Sequence, residues 1–284
     1  MTSHARAVDR YLSRLGFASR PGPTAETLVE LQRRHLDLVP YENLAAALGR
    51  PDLADPAGTL ERIAAGGNAG YCFHHNGALE LVLRDLGFTV ERRLGHIDGD
   101  EVPELNHLVL LVTIGGRRWW PDLGLGDALR DPVEVSDGKF RQGPFRYAIT
   151  ASDPDAGTWI FRHDPAWGSF TTVEVRGGSP SDADIAASHR YLSTPPEGRY
   201  TRTLVVARLE DTGADVLRGI RLRRHGDGAR ARNLETYEEW RAALTALRVS
   251  LAGVSEEELR SLHGRLLAFH SQRAAGKGLD PHVA

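Results

Sequence analysis

The chain has 284 residues, with 35 Lys and Arg against 38 Asp and Glu, a formal net charge of −3. That balance excludes a nucleic-acid scaffold, which carries a strongly basic domain, and 41% hydrophobic with 26% charged residues is an ordinary soluble globular composition. The length suits one large domain or two small ones at about 150 residues each, and the single cysteine, Cys72, excludes an intrachain disulfide and a multi-cysteine zinc site.

In chain order, the first stretch, MTSHARAVDRYLSRLG, has no apolar h-region, so no secretory signal and a cytoplasmic location are expected. No apolar run of about 18 residues occurs, so no membrane span is expected. Residues 1–87 read as helical. Tyr11, Leu12 and Leu15 share a helical face that Gly16 can stop. Thr24 opens a second amphipathic stretch with Leu28, Leu31 and His35. Asp55-Pro56 and Gly66-Gly67 read as loops. A third helix starts near Cys72, with Leu79, Val82, Leu83 and Leu86 as its stripe and Gly87 at its stop.

Residues 88–176 read as short strands: 88–94, 108–114, 117–123, 145–150, 158–162 and 169–175. They suggest an antiparallel meander or small barrel. Residues 177–284 are mixed. Ser181–Tyr191 reads as a helix, and 203–209 with 217–223 as a hairpin around Asp211-Thr212-Gly213. Two capped helices close the chain, one from Thr236 with Glu239 and one from Ser255 with Glu258. Gly276–Ala284 reads as frayed.

Cys72 sits where a glycine-bearing loop meets a helix. A thiol at a helix N-terminus feels the positive end of the dipole, which favours the nucleophilic thiolate; the plainer alternative is a small buried hydrophobe. A second candidate lies on the hairpin around Gly115-Gly116. If Ile114 pairs with Arg117, then Val109 faces Asp122, and His107 becomes the diagonal neighbour of Asp122 at about 7–8 Å. The strand 108–112 is apolar throughout, so a buried Asp122 needs a partner, and His107 is the obvious one. Carboxylate, imidazole and thiol together make a nucleophile–base–orienter set; an ordinary core His–Asp pair is the alternative. Glycines in Asp122-Leu123-Gly124-Leu125-Gly126 would let backbone approach a ligand. His74-His75 point about 100° apart on a helix and make a poor metal pair. Arg221, Arg223, Arg224 and His225 read as a solvated strand edge, or as a contact for phosphates. Trp119-Trp120 reads as hairpin packing.

Val39-Pro40-Tyr41-Glu42-Asn43-Leu44, Gly70-Tyr71-Cys72-Phe73 with Asn76, Asn106-His107, Asp122 to Gly126, and Tyr191-Leu192-Ser193-Thr194-Pro195 occur in this order. Together they resemble the arylamine N-acetyltransferases, over about residues 8–270. The resemblance implies an α+β fold: a helical N-terminal domain (1–87) carrying the nucleophile, an antiparallel β-barrel (88–176) carrying His and Asp, and an interdomain segment with an α/β lid (177–284), around a cysteine-protease-like Cys-His-Asp core. It implies ping-pong transfer of acetyl from acetyl-CoA to an arylamine, arylhydroxylamine or hydrazine, in xenobiotic metabolism, without a metal. Cys72 would be the acyl acceptor, His107 the base and Asp122 its orienter. Gly124, Gly126 and Tyr191 would contact CoA, and Tyr71 and Phe73 would wall the amine pocket.

The chain departs from the family pattern in places. Asn68-Ala69-Gly70 replaces Arg-Gly-Gly, and His74-His75 replaces Glu-Gln. Glu104, Glu197 and Arg199 stand where some members carry small residues near CoA. Those changes motivate an alternative, an amide synthase joining a carrier-bound acyl chain to an aromatic amine. A thiol hydrolase and a binding module without turnover are the further rivals.

Overall fold

The computed structural model describes residues 3–98, 105–153, 158–194 and 199–274. Glu104, Pro195, Glu197 and residues 276–284 lie outside the described residues. The N-terminal part holds α1 (Ser3–Arg14), α2 (Ala25–Leu38), the two-residue β1 (Tyr41–Glu42), α3 (Leu44–Ala47), α4 (Pro56–Ala64) and α5 (Cys72–Asp85). Thr24 caps α2 by accepting from the Thr27 N–H. Gly16 and Gly87 end α1 and α5 with φ of 80° and 89°, the left-handed conformation that glycine adopts without a Cβ penalty.

Asp55-Pro56, expected as a loop, instead starts α4. Asp55 accepts from the Ala57 and Gly58 N–H groups, and Pro56 occupies the first turn. Pro breaks a helix in its interior and Asp is disfavoured there, yet Asp favours the N-cap and Pro the first turn, where the amide has no helical partner.

β2 (Thr89–Ile97), β3 (His107–Ile114), β4 (Arg117–Trp120), β5 (Val133–Glu134), β6 (Gly138–Gln142), β7 (Phe145–Asp153), β8 (Thr158–Arg162) and β9 (Thr172–Val175) form one curled antiparallel sheet, ordered β5-β4-β3-β2-β9-β8-β7-β6. Ile114 pairs with Arg117 as expected. β4, however, ends at Trp120 rather than reaching Leu123, because Pro121 has no N–H for the ladder. β5 and β6 were not expected, since a two-residue strand is too short to show a period and Gly-Lys-Phe-Arg-Gln carries a single large apolar side chain.

The C-terminal part holds α6 (Asp182–Ser193), α7 (Arg199–Arg202), β10 (Val205–Glu210), β11 (Gly213–Arg218), β12 (Arg221–Gly226), β13 (Arg230–Asn233), α8 (Tyr237–Ala246) and α9 (Glu256–Ala274). The expected strand 217–223 is divided between β11 and β12. Gly219, at φ 59°, turns the chain there, and Arg218 pairs with Arg221 across the turn. β1 extends this second sheet from the N-terminal side, pairing Tyr41 with Ala207 and Glu42 with Val206. The helical N-terminal stretch thus lends a strand to the C-terminal sheet. The main core joins Val8, Leu31, Ile63 and Val82 of the helices to Leu110, Trp120, Trp159 and Phe161 of the large sheet. A second core gathers Val206, Leu217, Trp240, Leu244 and Leu262.

Candidate active site

Cys72 is the first residue of α5 and is 2% exposed. Gly70 precedes it at φ 117°, with the His74 ring packed where a Cβ would stand. That glycine lets the loop turn sharply into the helix. The Cys72 thiol points at the carbonyl of Asn106, Sγ to O 3.6 Å. The next residue, His107, opens β3 and is fully buried.

His107 Nε2 stands 2.6 Å from Asp122 Oδ2. An ionised carboxylate only accepts, so Nε2 carries the proton. Nδ1 has no hydrogen-bond partner of ordinary geometry among the described residues, and the Cys72 thiol is the ionisable group acting on the ring besides Asp122. Burial works against the imidazolium, but the charge and hydrogen bond of Asp122 outweigh it, with help from Cys72, and hold His107 up at about 10. A cationic imidazole beside a sulfur favours the anionic nucleophile.

The hydrogen bond from His107 to Asp122 is formed without the ladder register expected for it. Asp122 lies past the end of β4, in a loop whose first three amides are all claimed. Its own N–H donates to Gln32 Oε1 at 2.9 Å. The Leu123 N–H donates to Asn76 Oδ1 at 3.0 Å, and the Gly124 N–H to Asp122 Oδ1 at 2.7 Å. Trp120 donates its indole N–H to Asp122 Oδ2 at 3.0 Å. Trp120 was expected only to pack. It does so, edge-on to Trp159 and Phe161, and it also completes the carboxylate's shell. A donor two residues before the Asp, on the same side of an extended chain, was the signal for it. Asn76 also donates to the Leu108 carbonyl at 2.7 Å, so one carboxamide joins α5, β3 and the Asp122 loop.

A narrow crevice of about 50 Å3 opens on Cys72, lined among others by Tyr41, Ile97, Gly124, Leu125, Phe170 and Tyr200. Gly126 and Asp127 also line it. Tyr41 and Tyr200 close one side with a 2.6 Å hydroxyl contact. Tyr71 and Phe73 are not on this crevice. They lie in a buried cluster with Leu94, Leu108, Ile185 and Leu192, and the Tyr71 hydroxyl meets His189 Nδ1 at 2.7 Å. Tyr191, on α6, is 43% exposed and lines neither the crevice nor the cavity beside it.

That neighbouring cavity, about 470 Å3, shares Ser169, Val216 and Arg218 with the crevice. Arg221, Arg223 and His225 of β12 line it. Arg224, one residue out of phase, turns to the other face and bonds Asp215 at 2.9 Å. The basic run is therefore split by strand alternation, and β12 is no edge, since β13 flanks it. Burial first, then the charge of Arg221, lowers Arg223, so this face holds positive charges crowded together.

His74 and His75 are 2% and 0% exposed, and His74 caps the start of α5. His74 Nδ1 takes the Tyr71 N–H at 3.4 Å. His75 Nδ1 meets His35 Nε2 at 2.9 Å, and His35 Nδ1 meets the Tyr11 hydroxyl at 2.9 Å. Burial above all holds His74 down at about 3 and His75 at about 4. Among the described residues no three His, Cys, Asp or Glu side chains converge to hold a metal ion.

The N-acetyltransferase family model matches residues 24–252. An arylamine N-acetyltransferase of Mycolicibacterium smegmatis is 32% identical over 232 residues, 77% of this chain and 82% of that one. The Nocardia farcinica arylamine N-acetyltransferase has the same fold, with a TM-score of 0.79 at 27% identity over 92% of this chain and 95% of that one. The Mycobacterium marinum arylamine N-acetyltransferase, solved in complex with CoA, gives a TM-score of 0.80 at 22% identity over 92% and 98% of the two chains.

Proposed function

From the membership of this chain in the arylamine N-acetyltransferase family, we propose that it moves an acetyl group from acetyl-CoA to the nitrogen of an arylamine, arylhydroxylamine or hydrazine through an acetyl-Cys72 intermediate. The observation that carries the residue assignment is the Asp122–His107 hydrogen bond at 2.6 Å, with the Cys72 thiol acting on the same ring. Cys72 is the nucleophile, His107 the proton carrier and Asp122 its orienter.

In the first half-reaction the Cys72 sulfur bonds to the acetyl carbon of the thioester. The carbon–sulfur bond to CoA breaks, and the departing thiolate takes the proton held on His107. The start of α5 places its positive dipole end at the reacting sulfur, where negative charge develops. In the second half the amine nitrogen bonds to the acetyl carbon, the bond to Cys72 breaks, and His107 receives the amine proton. The apolar, buried run 108–112 of β3 behind His107 keeps water from the ring.

The large cavity is the proposed seat of the phosphate-bearing end of CoA. Arg221 and Arg223 face it, and crowded guanidinium groups suit a polyanion. Its shared wall with the crevice leads the thioester toward Cys72. The crevice, with Gly124 and Gly126 in its lining, is the proposed acceptor side. An apolar space of ~150 Å3 is what holds a benzene ring, so the crevice of about 50 Å3 must widen for an arylamine. A role in handling foreign amines and a location in the cytoplasm accord with this reading. The amide-synthase alternative is not favoured, because the relatives that span most of the chain are acetyltransferases.

Acetyl-CoA added without an amine should release one equivalent of CoA and leave an acetyl group on the Cys72 peptide by mass spectrometry. An arylamine added next should remove that group as its N-acetyl derivative. A protein that releases no CoA and carries no acetyl group would sink the reading.

A further inference from the structure

We propose that Gln32, on α2, is a positioning residue for acyl transfer, one that fixes Asp122 and through it the imidazole of His107; the proposal rests on the reading above. Gln32 is 1% exposed, and both ends of its carboxamide are used. Oε1 accepts the Asp122 N–H at 2.9 Å, and Nε2 donates to the Leu129 carbonyl at 2.5 Å. One side chain therefore clamps both ends of the segment 122–129, which also carries Gly124 and Gly126. Leu129 is held at φ 59°, a left-handed conformation that a leucine enters only when its surroundings fix it.

The chemistry demands a carboxamide at this place. One clamped group is a donor and the other an acceptor, and a glutamine side chain alone among residues of its length supplies both partners in a fixed plane. A leucine would leave a buried N–H and a buried carbonyl unmade. A glutamate could still accept from Asp122 but would set a carboxylate against the Leu129 carbonyl. The bond held in place is short, 2.6 Å between His107 and Asp122, and Asp122 has no ladder partner to locate its backbone. Helix α2 does that work from 90 residues away in sequence, while Asn76 takes the next amide.

The test compares Gln32→Leu, Gln32→Glu and a control, Leu31→Ala, which empties part of the same helix's buried face and leaves both Gln32 hydrogen bonds to the 122–129 segment in place. Melting temperature, kcat and KM for acetyl transfer, and the pH profile of Cys72 alkylation by iodoacetamide are measured on each. Gln32→Leu should lower kcat by roughly tenfold to a hundredfold, the scale of a small misplacement of a reacting group, with KM for acetyl-CoA nearly unchanged. Its alkylation near neutral pH should fall relative to that at about pH 9, because a poorly held imidazole no longer supports the thiolate. Gln32→Glu, which keeps the Asp122 contact, should recover part of the kcat even if the leucine variant folds poorly. The proposal is overturned if the Gln32 variants lose melting temperature but keep kcat and the alkylation profile, or if Leu31→Ala shifts both as much. Wild-type protein that takes no acetyl group on Cys72 would instead sink the underlying assignment.

Discussion

A Cβ placed on Gly124 would stand 2.4 Å from the Cα of Cys72 and 2.6 Å from its Cβ. The loop after Asp122 is thus pressed against the backbone of Cys72, and the glycine there is demanded by contact as much as by any ligand. Gly124→Ala must push the loop or the start of α5 aside. Acetyl transfer should drop by roughly a hundredfold, the cost of a displacement of about 1 Å at a reacting centre, while Gly22→Ala, with nothing within 4 Å of its Cβ site and no left-handed backbone, should leave kcat near the wild-type value. Equal kcat in Gly124→Ala and wild type would refute the contact.

Asp122→Asn keeps the shape and can still accept from Trp120, but it offers His107 an amide in place of a charge. The imidazole then loses what raised it and can settle in the wrong tautomer. Turnover should fall by roughly a thousandfold or more. A melting curve run beside the assay separates this from unfolding, since the carboxylate accepts from Trp120 and Gly124 as well.

Stability should respond to pH through the buried imidazoles. His75 is held down at about 4 by burial, whereas an unfolded chain protonates it near its ordinary value of about 6.5. Its contribution is therefore present above about 6.5 and lost as pH falls toward about 4. His107, held up at about 10 against its burial by Asp122, behaves oppositely. Its contribution is full below about 6.5 and fades as pH rises through about 10. Glu42, pushed up to about 7 by burial, gains a proton over the acid range and offsets one imidazole, so the informative quantity is a difference. Between about pH 7 and pH 5, His75→Gln should lose roughly 2 kcal/mol less stability than wild type. Parallel denaturation curves at the two pH values would rule this out.

Arg221→Ala with Arg223→Ala removes two of the guanidinium groups that line the large cavity, leaving Arg218 in place. KM for acetyl-CoA should rise by about tenfold or more, equivalent to about 1.4 kcal/mol. Turnover of a phosphate-free acetyl ester such as p-nitrophenyl acetate should be unaffected. Both donors losing equally would place the phosphates elsewhere.

Tyr200→Phe breaks the hydroxyl contact with Tyr41 across the crevice while keeping both rings. KM for a bulky arylamine should fall by roughly twofold to fivefold, as ~1 kcal/mol of closure is removed, with that for a small hydrazine unchanged. An unaltered ratio of the two KM values would show that the crevice opens elsewhere.

The helix from Cys72 was readable because its apolar residues recur at i, i+3, i+4 and i+7 and Gly87 stops it. So was the run 107–114, because an apolar stretch beside a two-glycine turn has few other uses. The nearness of Asp122 to His107 was inferred from ladder register, yet Pro121 ends that ladder, and two buried carboxamides and an indole hold the carboxylate where register would have put it. The burial of His74 and His75 is not legible in the sequence, because polarity by itself does not reveal which helix face is covered. With α2 packed on one side and α6 on the other, that helix has no wet face near its start.

Local sequence therefore determined the longer helices and the main strands and singled out Cys72, His107 and Asp122 as candidates, since periodicity, capping and turn preference act between residues near in the chain. Which side chains line the crevice was decided only by tertiary packing: Tyr41, Ile97, Phe170 and Tyr200 come from four separate segments. The same holds for Gln32 and the arginines of β12, whose partners lie across the fold. Contacts between distant segments leave no period in either stretch, because the geometry that pairs them exists only once the chain has closed.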